Sequence, residues 1–425
     1  MRRSPEMEIK PVGIALVGCG GMGLRHVRGY AALRNAGTPG AVLAAVCDTN
    51  AARRAEAVEL YRALTGEVVP AVARMEDLTA LRDVVAVDVA VPTAYHLPLA
   101  LEAFGRGLHV MVEKPIALTV RSARRMTEAA AEAGLVLAVA ENFRRVPGNR
   151  AFRALLDQGE IGRPYFTTST LSIPSSMLHP TGGEVAWYRD QSLSGSLVAL
   201  EMGVHEMDLL QYWFGPARTV DAVVRTYEPE LVHADGSTTT VTSEDTCLAR
   251  VDFDDDLSAQ VTLTMAGHGE PLGQRLVVGS RGSVSSACWE GWQDGWIALD
   301  DGTRVPVEDR IRAWVDGLDA DAREHWLPLG TWNPDDITLD VQDPVRYGVA
   351  YEIHDFARAV ATGGRPEIGG PEGTDDLAAA IALLESSLSG GPVQVADVAA
   401  GVVTRWQDPL DERLLAADGT RDGAR

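Results

Sequence analysis

The feature that most constrains this chain is an alternation. From Gly13 to Ala140, short aliphatic runs take turns with amphipathic stretches of helical period. The runs are Gly13–Val17, Val42–Cys47, Val87–Val91, His109–Val112 and Val136–Ala140. Their successive aliphatic and β-branched positions fit strands buried on both faces. Between them lie Asn50–Leu64, Leu97–Gly105 and Thr119–Gly134, rich in Ala and Arg. Strands that alternate with helices pair in parallel, because each crossover carries a helix. The expectation is α/β: a doubly wound parallel sheet over residues 8–145.

After about Gly159 the texture changes. Pro164–Ile173, Thr219–Tyr227, Ser243–Phe253, Leu257–Ala266 and Leu276–Val278 read as longer, alternating strands. One helical stretch, Gly195–Phe214, is embedded among them, and helical patterns return at Ala350–Ala361 and Thr374–Ser387. This predicts an α+β domain over 146–400 with a large, mostly antiparallel open sheet. Residues 286–346 form an irregular insertion rich in Trp and Asp, and the polar segment 407–425 is expected to be a flexible tail.

Composition narrows the partners. The chain has 38 Lys+Arg against 60 Asp+Glu, a net charge of −22. That field repels nucleic acid and anionic lipid, so neither is expected as a partner. No run reaches the ~18 apolar residues a membrane span needs. The opening MRRSPEMEIK is followed by no apolar signal-peptide core. Cys19, Cys47, Cys247 and Cys288 are scattered without C-x-x-C spacing. They read as reduced structural thiols of a cytoplasmic protein, with two disulfides as the alternative.

Gly18-Cys19-Gly20-Gly21-Met22-Gly23 fits G-x-G-x-x-G, between an expected strand and an expected helix. In that context each glycine has a task. Gly18 makes the tight turn, Gly20 lets the backbone approach a pyrophosphate, and Gly23 lets the helix pack close to the sheet. Gly21 and Met22 begin the helix, whose free N–H groups attract phosphate. Asp48 ends the second strand, 25 residues after Gly23. Its carboxylate can accept from ribose hydroxyls and would repel a 2′-phosphate, which favours NAD over NADP. Arg53 and Arg54 are the counter-signal, since they could clamp that phosphate. The first domain is therefore expected to be a Rossmann domain binding NAD.

A second constellation follows. Pro92, Thr93 and His96 lie just beyond the fourth strand, and another strand ends in Glu113-Lys114-Pro115. These residues stand at the carboxyl edge of the sheet, where such sheets bind ligands. Pro115 restricts Lys114 to an extended conformation, and the bond between them can be cis. Pro92, Thr93, His96, Glu113 and Lys114 are accordingly expected near the cofactor.

With these motifs in place, the chain resembles the glucose–fructose oxidoreductase/inositol dehydrogenase (Gfo/Idh/MocA) family. The likeness runs through Gly18–Gly23, Asp48, Pro92–His96, Gly107–Pro115, the Glu141-Asn142-Phe143-Arg144 turn and the Gly195–Gly215 helix, and resumes from Tyr351 to Val395. It implies a Rossmann domain plus an open-sheet domain whose sheet often forms a homodimer or homotetramer face. It also implies that the lysine of Glu-Lys-Pro and a helix of pattern Asp-x-Gly-x-His-x-x-Asp surround the substrate. Here that helix reads Glu201-Met202-Gly203-Val204-His205-Glu206-Met207-Asp208. Lys114 matches the family's catalytic lysine and His205 its histidine. Glu201 stands where Asp is usual, and Ser194-Gly195-Ser196 where Gly-Gly-Gly is frequent.

On a regular helix Glu201, His205 and Asp208 share one face. The resemblance then implies hydride transfer at a carbinol, with His205 taking the hydroxyl proton. Lys114 would hold the alkoxide, or share the proton if burial lowers its pKa. Glu201 would orient His205, and Asp208 would support the site. Glu201 and His205 have metal-ligand spacing, but no third ligand is evident, so no metal is expected. Arg144, Trp187 and Tyr188 are further candidates for substrate contact. Trp289, Trp292, Trp296, Trp314, Trp326 and Trp332 read as a satellite core or subunit contact, with sugar stacking as the alternative. The expected function is an NAD-dependent dehydrogenase or reductase of a sugar, sugar derivative or cyclitol. The alternatives are an enzyme that retains NAD through a transient oxidation (epimerisation, elimination or glycoside cleavage) and a non-catalytic NAD-binding regulator.

Overall fold

The computed structural model describes residues 11–38, 40–174, 187–232, 236–287, 289, 292, 294–329 and 348–414. Strand β1 (Val12–Val17) is buried along its whole length and runs into α1 (Gly21–Ala36). Then come β2 (Ala41–Cys47), α2 (Ala51–Thr65), β3 (Ala71–Val72), β4 (Ala86–Val89), α3 (His96–Gly105), β5 (His109–Glu113), α4 (Val120–Ala133) and β6 (Leu137–Ala140). They build a parallel sheet in the order β3-β2-β1-β4-β5-β6. The direction of winding reverses between β1 and β4, so the crevice beyond their carboxyl ends is the natural ligand site. Local chemistry sets the helix limits. Asn50 accepts from Ala52 N and Arg53 N at the start of α2. Thr119 accepts from Ser122 N at the start of α4, which ends at Gly134 with φ 65°.

The second half begins with α5 (Pro147–Asp157), β7 (Pro164–Pro174) and α6 (Gln191–Ser194). A π-helical turn, Leu197–Met202, then leads into α7 (Gly203–Phe214). Strands β8 (Thr219–Arg225), β9 (Glu230–Val232), β10 (Thr238–Thr240), β11 (Thr246–Asp252), β12 (Ser258–Gly267), β13 (Leu272–Gly279), β14 (Gly282–Ser286), β15 (Trp296–Leu299) and β16 (Arg304–Pro306) follow. The chain closes with α8 (Val307–Gly317), α9 (Ala320–Trp326), α10 (Val349–Thr362), α11 (Gly370–Ser389), β17 (Val393–Gln394) and α12 (Val395–Ala400). Nine of these strands form one sheet, β16-β15-β14-β13-β7-β12-β11-β8-β17, antiparallel everywhere except at β7–β12. Along β8 the side chains of Val220, Ala222 and Val224 are buried and those of Asp221, Val223 and Arg225 are exposed. One face therefore packs on α11 and on the π-helical turn ahead of α7, while the other is open.

Two details depart from the linear reading. Helix α10 returns to the first sheet, where Val349, Ile353 and Phe356 join Ile14, Leu16 and Tyr30 in one core. A Cβ on Gly29 would stand 2.9 Å from Ile353 Cδ1, so α1 and α10 touch where a side chain is missing. Residues 407–414, expected in a flexible tail, are docked. Gln407 Oε1 accepts from Val120 N at 2.8 Å, and Thr119 Oγ1 donates to Asp411 Oδ1 at 2.6 Å. Residues 415–425 lie outside the described residues.

The tryptophans divide. Trp289 and Trp292 are fully buried, and Trp292 stacks on Phe152 at 4.1 Å. Trp326 lies beneath the Arg150 guanidinium at 3.7 Å, Trp314 packs at the core's margin, and Trp296 is exposed. Trp332 lies outside the described residues. No helix among the described residues is long and apolar enough to cross a membrane.

Candidate active site

The glycine turn is shaped by what its glycines exclude. Gly18 has φ 100°, and a Cβ there would stand 2.3 Å from Ala90 O. A Cβ on Gly23 would meet Gly18 O at 2.0 Å. Gly20 and Gly21 are different, because they face space. Nothing stands within 4 Å of a Cβ on Gly21, and only Arg53 Nη1, at 3.8 Å, approaches one on Gly20. This leaves the N-terminal backbone of α1, with half-buried Met22 behind it, open to a pyrophosphate. Asp48 follows β2, its Oδ2 accepting from Cys19 N at 2.8 Å and its Oδ1 from Asn50 N at 2.7 Å. Two backbone donors thus hold a carboxylate beside the turn, where an adenosine ribose belongs. Of the two arginines that could answer a 2′-phosphate, Arg54 donates to Asp48 O. These residues fit a dinucleotide.

At the neighbouring edge, β5 ends in Glu113 and the Lys114–Pro115 bond is cis. Lys114 Nζ donates to Glu201 Oε2 and to Glu201 O, both at 3.0 Å. Burial alone would lower the pKa of this ammonium, but the adjacent Glu201 carboxylate outweighs it and the net direction is upward. That direction is the opposite of the lowering on which a proton-sharing Lys114 would depend. Burial pushes the Glu201 carboxyl up, opposed by Lys114. Thr93 Oγ1 donates to Glu201 Oε1 at 3.4 Å, and half-buried Pro92 opens the same turn.

Two expected cofactor residues point elsewhere. His96 is wholly buried, its nitrogens 3.0 Å from Pro115 O and 2.9 Å from Val91 O. It ties two loops together and has no ring atom left for a ligand. Glu113 turns inward, with Oε1 3.0 Å from His26 Nε2 and Oε2 accepting from Lys114 N at 2.9 Å. His26 Nδ1 lies 2.8 Å from Asp88 Oδ2, and Glu352 Oε1 is 3.8 Å from Nε2. Burial would lower the His26 pKa, but Asp88 and Glu113 drive it well above 6.5. His26, Glu113 and Glu352 are close enough together to hold a metal ion. Yet both His26 nitrogens are engaged by carboxylates, the geometry of an imidazolium donating two hydrogen bonds.

The helix of Glu201, His205 and Asp208 is not regular. The π-helical turn at Leu197–Met202 ends just before α7, and Glu201 and His205, although His205 still acts on the Glu201 carboxyl, take different hydrogen-bond partners. Glu201 goes to Lys114. His205 Nδ1 lies 2.7 Å from Glu141 Oε1, a residue for which the sequence suggested no role. Burial would raise the Glu141 carboxyl, but His205 overrides this and its pKa is lowered. Glu141 stands directly after β6, on the same carboxyl edge as Asp48 and Lys114, and that position was the missed signal. Asp208 accepts from Arg144 Nε at 2.7 Å and from Arg144 Nη2. Asp376 Oδ2 lies 3.6 Å from the same guanidinium. Arg144, expected to reach the substrate, thus spends these donors within the protein.

Phe143 stacks on the His205 ring at 4.0 Å with an interplanar angle of 9°. Tyr188 is placed near Lys114 and Glu201, and burial followed by Glu201 pushes its phenol up to about 12. Trp187 stacks on Tyr188 at 3.9 Å. Lys114 and His205 both act on the Glu201 and Glu141 carboxyls, so the four groups share one neighbourhood.

A glycine turn at the switch point of a parallel sheet, with a lysine and a histidine brought to its edge, defines a dinucleotide-dependent oxidoreductase. Residues 12–141 match the family model described as oxidoreductase family, NAD-binding Rossmann fold, and residues 149–285 match the GFO/IDH/MocA C-terminal domain. The chain belongs to the Gfo/Idh/MocA oxidoreductase family. Levoglucosan dehydrogenase of Pseudarthrobacter phenanthrenivorans is 24% identical over 75% of this chain and 82% of its own. Inositol 2-dehydrogenase of Streptomyces avermitilis is 33% identical over 50% of this chain and 56% of its own. Among solved structures, levoglucosan dehydrogenase in complex with NADH and L-sorbose superposes with a TM-score of 0.75 at 23% identity, covering 91% of this chain and 99% of that one. That likeness is one of fold.

Proposed function

We propose that the protein is an NAD(H)-dependent dehydrogenase or reductase that moves a hydride between nicotinamide and a carbinol or ketone carbon of a sugar, sugar derivative or cyclitol. The observation that carries this reading is that the Lys114–Glu201 and His205–Glu141 pairs share one neighbourhood at the carboxyl edge of the sheet that also holds the glycine turn. A bound dinucleotide supplies the hydride acceptor. The chain's own residues supply the rest. His205 takes the hydroxyl proton on Nε2, which has no hydrogen-bond partner among the described residues. Lys114, kept cationic by Glu201, stabilises the developing alkoxide. Asp48 favours NAD over NADP. The Trp187–Tyr188 stack offers an aromatic wall to a sugar's C–H face. The named activities of the relatives point to the same substrate class.

A homodimer or homotetramer would form through the open sheet face. Phe166, Val223 and Leu248 are exposed there, and Arg250 pairs in register with Asp221. Cys19, Cys47 and Cys247 are free and buried, which fits a reducing cytoplasm.

The test is a panel of myo-inositol, levoglucosan and D-xylose with NAD+ and the full chain, followed at 340 nm. Steady NADH formation with at least one compound is expected. Product formed without any change at 340 nm would replace this reading with a transient oxidation on retained cofactor.

A further inference from the structure

We propose that Glu141 is the positioning residue of this site: it selects the tautomer of His205 that leaves Nε2 free to accept a proton. The inference rests on the role given to His205 above and gives a task to a residue that stood there only as part of the turn after β6. Three observations carry it. First, Glu141 Oε1 lies 2.7 Å from His205 Nδ1, and both side chains are buried. A carboxylate at that distance requires a proton on Nδ1, because it can only accept. Second, the carboxylate is itself pinned: the same oxygen accepts from Phe143 N at 3.0 Å, within the turn that follows β6. Third, the Glu141 Oε2 atom is buried without a partner among the described residues. Such a desolvated carboxylate is costly unless a positive charge faces it, and among the groups it touches His205 is the one that can acquire one.

The ring is held in two dimensions. Glu141 fixes it in its plane. Phe143 fixes the plane itself, stacked at 4.0 Å and braced edge-on by Trp289 at 5.2 Å. Trp289 is anchored in turn by its indole N–H on Ser169 Oγ at 3.1 Å. The acid on the histidine's own helix cannot take this role, since Glu201 is committed to Lys114 and Asp208 to Arg144.

In the oxidation direction the substrate's O–H bond breaks and an Nε2–H bond forms. The electron pair of the C–H bond leaves with the hydride to nicotinamide, and the O–H pair becomes the new C=O bond. His205 becomes an imidazolium with a proton on each nitrogen, and Glu141 balances that charge where water is excluded. A buried acid that holds a catalytic histidine in one tautomer is a known device.

The experiment uses the full chain labelled with 15N-histidine, with the His205 signals identified by their loss in His205→Gln. In the wild type, neutral His205 should show a pyridine-like Nε2 and a protonated Nδ1. In Glu141→Leu the acceptor for the Nδ1 proton is gone, and the neutral ring should move toward the tautomer protonated on Nε2. NADH binding, read by fluorescence, should stay within about threefold. With whichever panel compound reduces NAD+, turnover should fall by at least ~100-fold, with KM little changed. A wild-type His205 protonated on Nε2 would overturn the proposal even if the variant did not fold, and so would an unchanged tautomer in Glu141→Leu. The spectra do not need a substrate. A chain that reduces NAD+ with no sugar or cyclitol would sink the proposed function, and the tautomer would still decide the role of Glu141.

Discussion

Two buried ionic layers join the nucleotide-binding sheet to the rest of the chain, and they differ in one respect. The first lies behind the sheet. His26 sits between Asp88 and Glu113 with Glu352 nearby, while Arg145 pairs with Asp355, and Glu367 joins Arg145 to Arg150. The second lies at the carboxyl edge, where Lys114 meets Glu201, His205 meets Glu141 and Arg144 meets Asp208. Each layer has a histidine held by carboxylates. His26 is wholly buried, with both nitrogens engaged, whereas among the described residues His205 is engaged on Nδ1 alone. A closed ion pair can only hold structure together. An open one can exchange a proton. The difference between clamp and catalyst is thus one unoccupied nitrogen, and substitutions in the two layers should fail in different ways.

The largest expected effect is in the open layer. Lys114→Ala removes the cation that faces the developing alkoxide, and turnover should fall by ~10²–10⁴-fold while NADH still binds. Single-turnover NADH formation measures it. Unchanged turnover would remove Lys114 from the chemistry and make this layer as purely structural as the other.

Much of this was legible in the sequence, for a physical reason. Strands buried on both faces must be aliphatic throughout, so β1 and β5 announce themselves, and the residues just beyond them, Gly18 and Lys114, are placed at the crevice by topology alone. What stayed hidden depends on where a side chain turns after its strand or helix. Glu113 and Lys114 are consecutive, yet one points to His26 and the other to Glu201. Glu201 lies in a π-helical turn and is taken by Lys114, a partner that no spacing rule for a regular helix could show. Glu141 and His205 are 64 residues apart and meet only because β6 ends where α7 begins. The docking of α10 on α1 depends equally on tertiary packing, at Gly29.

The closed layer should answer in stability. His26→Leu would leave Asp88, Glu113 and Glu352 buried together without their imidazolium. A loss of about 3–5 kcal/mol is expected, because removing one partner of a buried ionic cluster strands the others. Urea unfolding at pH 6 measures it. A loss below ~1 kcal/mol would show that the carboxyls relieve one another by taking up protons, and that the layer does not depend on His26.

Glu367 gives the same layer a pH signature. Burial would raise its carboxyl, but Arg150 and Arg145 bring it down from 4.5 to about 2. A folded-state pKa below the unfolded one gives stability that is fully present above about pH 4.5 and lost as the pH falls toward 2. Glu367→Gln should therefore cost about 3 kcal/mol at neutral pH. The gap between variant and wild type should close on acidification through that window. A gap independent of pH would mean the side chain contributes packing and not charge.

The smallest expected effect tests the cofactor end of the open edge. Asp48 is half-buried, and its two oxygens are already oriented by Cys19 N and Asn50 N. Its remaining lone pairs can meet a ribose hydroxyl, and its charge opposes a 2′-phosphate. Asp48→Ala removes both influences at a site partly screened by solvent, so the kcat/KM ratio of NAD to NADP should narrow by only about tenfold, roughly 1.4 kcal/mol. Arg53, which stands beside Gly20, would then be free to favour the phosphate, and Asp48→Ala combined with Arg53→Ala should restore part of the NAD preference. An unaltered ratio in Asp48→Ala would place ribose recognition elsewhere on the crevice and leave this carboxylate as a brace for the glycine turn.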